Sequence, residues 1–325
     1  MLTGRNRKQD NKHRIRCGEG LLPHISFKEK DMTKKKNKKL INVLQFAGFG
    51  FPALFIWMSV VIIPFIYGIW ITFTDWNGLA MHINYVGLQN YIDVFKDATF
   101  VSSFVKTVIY AFFTVLASNI VGFALALAVT SGIKGQGLFR TGFFTPNIIG
   151  GIILGYIWNF IFSYVLTAVG KSMGVEWMST SWLTNPTRAL IALIIVSSWQ
   201  MSGYLMVIYI AGLTNVPKEL IEAARVDGAT GWQTIMKVKL PLIRNTTAIC
   251  IFLSISRTFM SFDMNLSLTA GGPYKSTELI AYKIYQTAFT SMEFGKGQAQ
   301  AIVLFVIVAT ISLLQVYFTK RGDEK

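Results

Sequence analysis

Apolar residues fall in long uncharged blocks, and the charged residues are confined to short stretches between them. About 20 consecutive apolar residues cross a bilayer as helix. Six segments reach that length, over residues 40–74, 102–130, 141–163, 189–211, 245–268 and 299–319. The first is longer than a crossing needs, and Pro52 and Pro64 are expected to break it, leaving part of it at the interface. The fifth is the least apolar. This pattern predicts an all-α integral membrane protein with six transmembrane helices over 40–320, a basic tail over 1–39 and a short charged end over 321–325.

One insert breaks the pattern. Residues 212–244, between the fourth and fifth segments, read as two short soluble helices. Pro217 suits a first helical position, where its missing N–H is not needed. KELIEAARV follows with good helix formers, and Gly228 can take the left-handed conformation that ends a helix. Thr230 and Gln233 form a T-x-x-Q capping box for a second helix, which Leu240-Pro241 is expected to close. A loop of this length between spans normally has a task.

Composition agrees with a polytopic membrane protein. Of 325 residues, 52% are hydrophobic and only 14% are charged, against roughly 25% charged in soluble domains. The net charge of +15 owes much to the first 39 residues, which hold thirteen Lys or Arg. We read that tail as a cytoplasmic flank that orients the first span and touches anionic membrane lipid, not as an arm for nucleic acid. It has no apolar core and no small-residue cleavage site, so it is not a signal peptide, and Met32 before TKKKNKK offers an alternative start. Six spans return the chain to its starting side. With the tail cytoplasmic, both termini and the 212–244 insert are cytoplasmic, and the remaining Lys and Arg divide ten inside against seven outside.

The residues of the insert carry a resemblance. Glu222-Ala223-Ala224, Gly228, and Val238-Lys239-Leu240-Pro241 follow each other at the spacing of the EAA signature of ABC importer permeases, with Val where Ile is commonest. LTAGGPYKSTELIAYKIYQTAF, at 268–289, is similar to first-permease subunits of carbohydrate importers of the maltose and glycerol-phosphate type. The resemblance covers nearly all of 40–320 and implies the type I importer permease fold. It implies that Glu222, Ala223, Ala224, Asp227, Gly228, Leu240 and Pro241 couple the chain to a cytoplasmic ATPase. It also implies four kinds of partner: a second homologous permease, two ATP-binding subunits, an extracytoplasmic solute-binding protein and the lipid of a prokaryotic cytoplasmic membrane. This chain has no G-x-x-x-x-G-K-[ST] phosphate loop. ATP and Mg therefore belong to a separate subunit, and the chain is a transport subunit with no cofactor, not an enzyme.

Polar residues inside spans are costly and mark candidate sites. On the fifth span Ser254, Arg257, Thr258, Ser261 and Asn265 fall at about 0, 300, 40, 340 and 20 degrees of a helical wheel. Asp263 lies nearly opposite unless the helix loosens near its outer end. On the fourth, Ser197, Gln200, Met201 and Tyr204 form a second stripe, with Trp199 beside it. These are the expected substrate path, with Arg257 and Tyr204 the strongest members and the serines better suited to helix packing. Asn119, Asn147 and Asn159 are further intramembrane candidates.

Other classes fit less well. An ion-coupled transporter needs intramembrane acids, and Asp263 is the one strong candidate. A membrane-embedded enzyme needs a convergent set of reactive groups, and His13, His24 and His82 all lie outside the spans. Cys17 and Cys250 are too unlike in setting to pair. A phosphate ester remains an alternative solute to a di- or oligosaccharide, because Arg257 can meet a phosphate.

Overall fold

The computed structural model describes residues 45–79, 82–132 and 134–323. The basic tail with Cys17, His13, His24 and Met32 lies outside the described residues, as do Glu324 and Lys325. The chain divides into one unit ending at Phe65 and another beginning at Ile66. Among the described residues five helices are long and apolar enough to cross a membrane, and a sixth crossing forms if one bent pair is a single span.

Helix α1 (Gln45–Ile71) runs through both prolines without a break. At Pro64 the reason is a stretch of π-helix at Met58–Ile62 just before it, whereas Pro52 sits in α-helical backbone near the start of the helix. The wider turn accommodates the proline ring and its missing donor, which an α-turn cannot. Beyond it α2 (Gln89–Lys96) leads to α3 (Ala98–Thr130), whose cap is Asp97. The Asp97 carboxylate accepts from the Thr99 and Phe100 amides and lies 3.9 and 3.6 Å from the Lys283 and Lys296 amines. Partial burial pushes its pKa up, but the bonds from Thr99 and Phe100 and the Lys283 charge together hold it below the usual carboxylate value.

The face that α3 buries is small and hydroxylic: Ser103, Thr107, Tyr110, Ala111, Thr114, Ser118, Gly122 and Ala126. Phe112, Phe113, Leu116 and Ile120 point outward. Helices in lipid gain no hydrophobic energy by meeting, so small residues that allow close approach choose the contact. The partner is α6 (Pro186–Thr214), capped by Asn185 with Pro186 in its first turn. A Cβ at Gly122 would stand 3.0 Å from Leu205 and the Ser202 carbonyl.

The third span differs from the expected 141–163. Residues Gln136–Ile148 form a separate helix, α4, and the span proper is α5 (Gly151–Met173). The break follows Pro146 and lies at Ile149-Gly150, both extended. Two contacts hold α4 on α6. Gly203 lets the Phe143 carbonyl approach so closely that any Cβ there would overlap it. The Gln200 amide donates to the Pro146 and Ile149 carbonyls at 3.3 and 3.2 Å, taking over acceptors that the broken helix leaves free.

The fifth span is also interrupted. Helices α7 (Lys218–Val226) and α8 (Gly231–Leu242) make the insert, and the chain turns by 76° at Ile243 into α9 (Arg244–Phe259). Pro217 is the cap of α7 and not its first residue. Helix α8 does end beside Leu240-Pro241, at Leu242. A π-turn at Ile235–Lys239 precedes that pair and Pro241 sits inside a final turn, for the same reason as at Pro64. After Met260–Phe262 the chain resumes as α10 (Asp263–Leu268). Helix α10 packs on α5 along Gly151, Gly155 and Asn159, four residues apart. Gly155 leaves room for Ser267, and Asn159 donates to the Leu268 carbonyl at 2.7 Å. Helices α11 (Ile280–Tyr285) and α12 (Phe294–Asp323) complete the chain.

Gly203→Ala is expected to lift α4 from α6 and to cost about 1–3 kcal/mol, the usual range for overpacking. The melting temperature of the purified protein in detergent checks this, and an unchanged value would contradict the contact.

Candidate functional site

Both helix breaks open on one cavity of about 330 Å³, within the range of small-molecule sites. The α4–α5 break supplies Asn147, Ile149, Gly150 and Gly151. The α9–α10 break supplies Met260, Ser261, Phe262 and Asp263, with Arg257 one turn before it. From α6 come Ser197, Gln200 and Met201, and from α3 Tyr110.

Arg257 is exposed in the cavity and is held from two sides. Its guanidinium donates to Asn147 Oδ1 at 3.0 Å, and its carbon stands 4.2 Å above the centre of the Tyr204 ring. Such a cation–π contact contributes roughly 0.5–2 kcal/mol, depending on solvation. Asp263 brings a carboxylate to the same rim. The remaining polar lining is amide and hydroxyl.

Of the residues expected on the path, Ser197, Gln200, Met201, Arg257, Ser261 and Asp263 line this cavity. Tyr204 lies beneath Arg257, and Trp199 stacks edge-on against Trp158. Ser254, Thr258 and Asn265 are placed elsewhere. The Ser254 hydroxyl donates to the Cys250 carbonyl and accepts from Asn119, and Thr258 bonds back to the Ser254 carbonyl. Asn265 donates to the Thr277 carbonyl and accepts from the Leu279 amide, organising the turn before α11. The wheel assumed an unbroken helix. The break at Met260–Phe262 rotates everything after it, bringing in Asp263 and turning Asn265 away. Asn119 accepts from Tyr209 at 2.9 Å, so with Ser254 it ties α3, α6 and α9 together. Tyr110 was missed, because an isolated aromatic in a span resembles a lipid-facing one. The signal that finds it is the hydroxylic stripe on either side of it.

The insert forms a second candidate surface. Helix α7 has no buried residue. It ends in a paired turn, with the Gly228 amide bonding the Arg225 carbonyl and the Ala229 amide bonding that of Ala224, while Gly228 takes φ +78°. The capping box forms in both directions, Gln233 N to Thr230 Oγ1 at 3.3 Å and Thr230 N to Gln233 Oε1 at 2.8 Å. Glu222, Ala223, Asp227 and Pro241 are exposed and Ala224 and Leu240 half-buried. Val226 and Trp232 stand 87% and 66% exposed beside them, an apolar surface with no partner among the described residues of this chain.

The sequence pattern of the family described as "Binding-protein-dependent transport system inner membrane component" matches residues 118–322. The probable starch degradation products transport system permease protein AmyD of Thermoanaerobacterium thermosulfurigenes is 43% identical over 89% of this chain and 98% of its own. The multiple sugar-binding transport system permease protein MsmF of Streptococcus mutans is 32% identical over 80% and 90%. The sn-glycerol-3-phosphate transport system permease protein UgpA of Agrobacterium fabrum is 30% identical over 75% and 84%. In fold, the chain is similar to a solved bacterial ABC transporter involved in import of the acidic polysaccharide alginate. The TM-score is 0.74 over 90% of this chain and 99% of that one, at 19% identity.

The helix break makes a prediction that an unbroken stripe does not. In a chain whose native cysteines are replaced, Ser261→Cys is expected to react rapidly with a membrane-impermeant cationic thiol reagent, and Ser254→Cys to stay unreactive. Equal labelling of both positions would return them to one continuous face.

Proposed function

Because this chain belongs to the family of inner-membrane components of binding-protein-dependent transport systems, we propose that it is the permease through which a neutral di- or oligosaccharide enters the cell. The family places it as a multi-pass protein of the inner membrane, working with a solute-binding protein and with ATP hydrolysis on a separate subunit. The observation that carries the sugar reading is the lining of the cavity. Its one cation, Arg257, shares the rim with one anion, Asp263, and the other polar groups are amides and hydroxyls. Such a lining bonds sugar hydroxyls and gives a dianion no net attraction. The relatives named for starch products and multiple sugars support the same class.

A phosphate ester is the second reading. It rests on Arg257 and on the relative named for sn-glycerol-3-phosphate. Against it stand the Asp263 carboxylate and the engagement of Arg257 with Asn147 and Tyr204.

The insert is the coupling surface in this reading, facing the cytoplasm together with both termini. Glu222, Ala223, Ala224, Asp227, Gly228, Leu240 and Pro241 present it to the ATPase, and Val226 and Trp232 add apolar contact. One such surface per chain serves one ATP-binding subunit, so a second homologous permease completes a pair over two of them.

Reconstitution with these partners tests both parts. Gly228→Val adds about 1–2 kcal/mol of strain at a left-handed residue, and Glu222→Lys reverses a charge. Each is expected to uncouple ATP hydrolysis from uptake with the protein still inserted, and normal solute-stimulated hydrolysis in both would refute the docking role.

Arg257→Met keeps the side chain's bulk and removes its charge and donors, and it is expected to weaken uptake of oligosaccharide with assembly intact. Wild-type uptake that glycerol phosphate competes away, and glucan oligosaccharides do not, would favour the phosphate ester. Unchanged uptake of every solute by Arg257→Met would remove the residue from the site.

A further inference from the structure

We infer that Tyr110, on α3, is a specificity-determining residue of the cavity, which reads one hydroxyl of the solute from the cavity floor. The inference rests on the sugar reading above. Tyr110 is 1% exposed, yet its side chain lines the cavity, and its hydroxyl donates to Ser261 Oγ at 3.3 Å across the α9–α10 break. Ser197, from α6, and Thr114, one turn along α3, lie beside the same phenol without a hydrogen bond to it. Four hydroxyls from three elements thus converge at one depth.

Two of the four, like Ser198 beside them on α6, differ from the other span hydroxyls. Thr107, Ser118, Ser202, Ser254 and Thr258 each bond back to a carbonyl three or four residues earlier, the ordinary way a hydroxyl is satisfied in lipid. Ser197 Oγ and Thr114 Oγ1 do not, and among the described residues neither has any hydrogen-bond partner. Ser197 is 6% exposed, and that exposure is into the cavity. A buried hydroxyl without a partner is costly unless something else satisfies it. A hydroxyl group both donates and accepts, so a solute hydroxyl can accept from Ser197 and donate to Tyr110. A carboxylate or phosphate oxygen can only accept, and an apolar group leaves the tier unpaired. The tier therefore offers a polyhydroxylated solute both a donor and an acceptor at this depth.

The test uses the assembled importer in proteoliposomes with its binding protein. A panel of di- and oligosaccharides is screened, and the sugar taken up fastest becomes the probe, together with its monodeoxy analogues. For Tyr110→Phe we expect KM for the parent sugar to rise about five- to tenfold with maximal rate nearly unchanged. For one monodeoxy analogue, the one lacking the hydroxyl that Tyr110 reads, wild type and variant are expected to have the same KM. Ser197→Ala is expected to shift the same analogue's discrimination. A purely structural role predicts instead a fall in maximal rate shared by all the sugars at constant KM, and that result, or no change at all, overturns the inference. If the wild type takes up no sugar of the panel, the sugar reading itself fails and the inference with it.

Discussion

The contact between small residues of neighbouring helices is the interaction on which this structure depends. In a soluble protein Leu, Ile and Phe drive helices together, but here they mostly point outward. Gly122, Gly203, Gly155 and Gly212 lie at close approaches between helices, against Leu205, Phe143, Ser267 and Thr246 respectively. Each lets a partner come to backbone distance, where dispersion and hydrogen bonds hold it. Hydroxyls and amides then tie the same faces together, as in the link from Tyr209 through Asn119 to Ser254. The cavity is where that packing stops.

Interrupted helices supply its walls. An intact helix spends its backbone groups on itself and can offer a solute only side chains. The two breaks leave carbonyls and amides without intrahelical partners, and irregular backbone inside a membrane is tolerated where it is buried in protein or lines a polar cavity. Gln200 satisfies two of the freed acceptors and so fixes one wall, and Asn147 at the same break positions Arg257 on the other.

How much of this was legible depended on whether a feature is local. The insert was, since its signals are caps: the left-handed Gly228 and the reciprocal Thr230–Gln233 box are decided by neighbours in sequence. The positions of the first, second, fourth and sixth spans followed from apolar length. The breaks did not, because Ile149-Gly150 and Met260–Phe262 are stabilised by contacts distant in sequence, from Gln200 at 51 residues to Tyr110 at 151. A helical wheel drawn through the second break placed Asn265 beside Arg257 and Asp263 opposite, the reverse of what the structure has. Prolines misled in the other direction. Pro52 and Pro64 were expected to break α1, which runs through both, past Pro64 by way of a π-turn.

The position of Arg257 has an electrostatic consequence. It stands in the last turn of α9 and bonds Asn147 in the last turn of α4, so one guanidinium meets the carboxyl-terminal ends of two helix dipoles. Each end carries a partial negative charge of about half an elementary charge. Together they offset much of the formal charge of the arginine, and the amino-terminal ends of α5 and α10, at Gly151 and Asp263 on the same cavity, do the same for the Asp263 carboxylate. A passing solute therefore meets strong local dipoles within a nearly field-free whole, a medium that holds polar neutral molecules and gives ions of either sign little reason to stay.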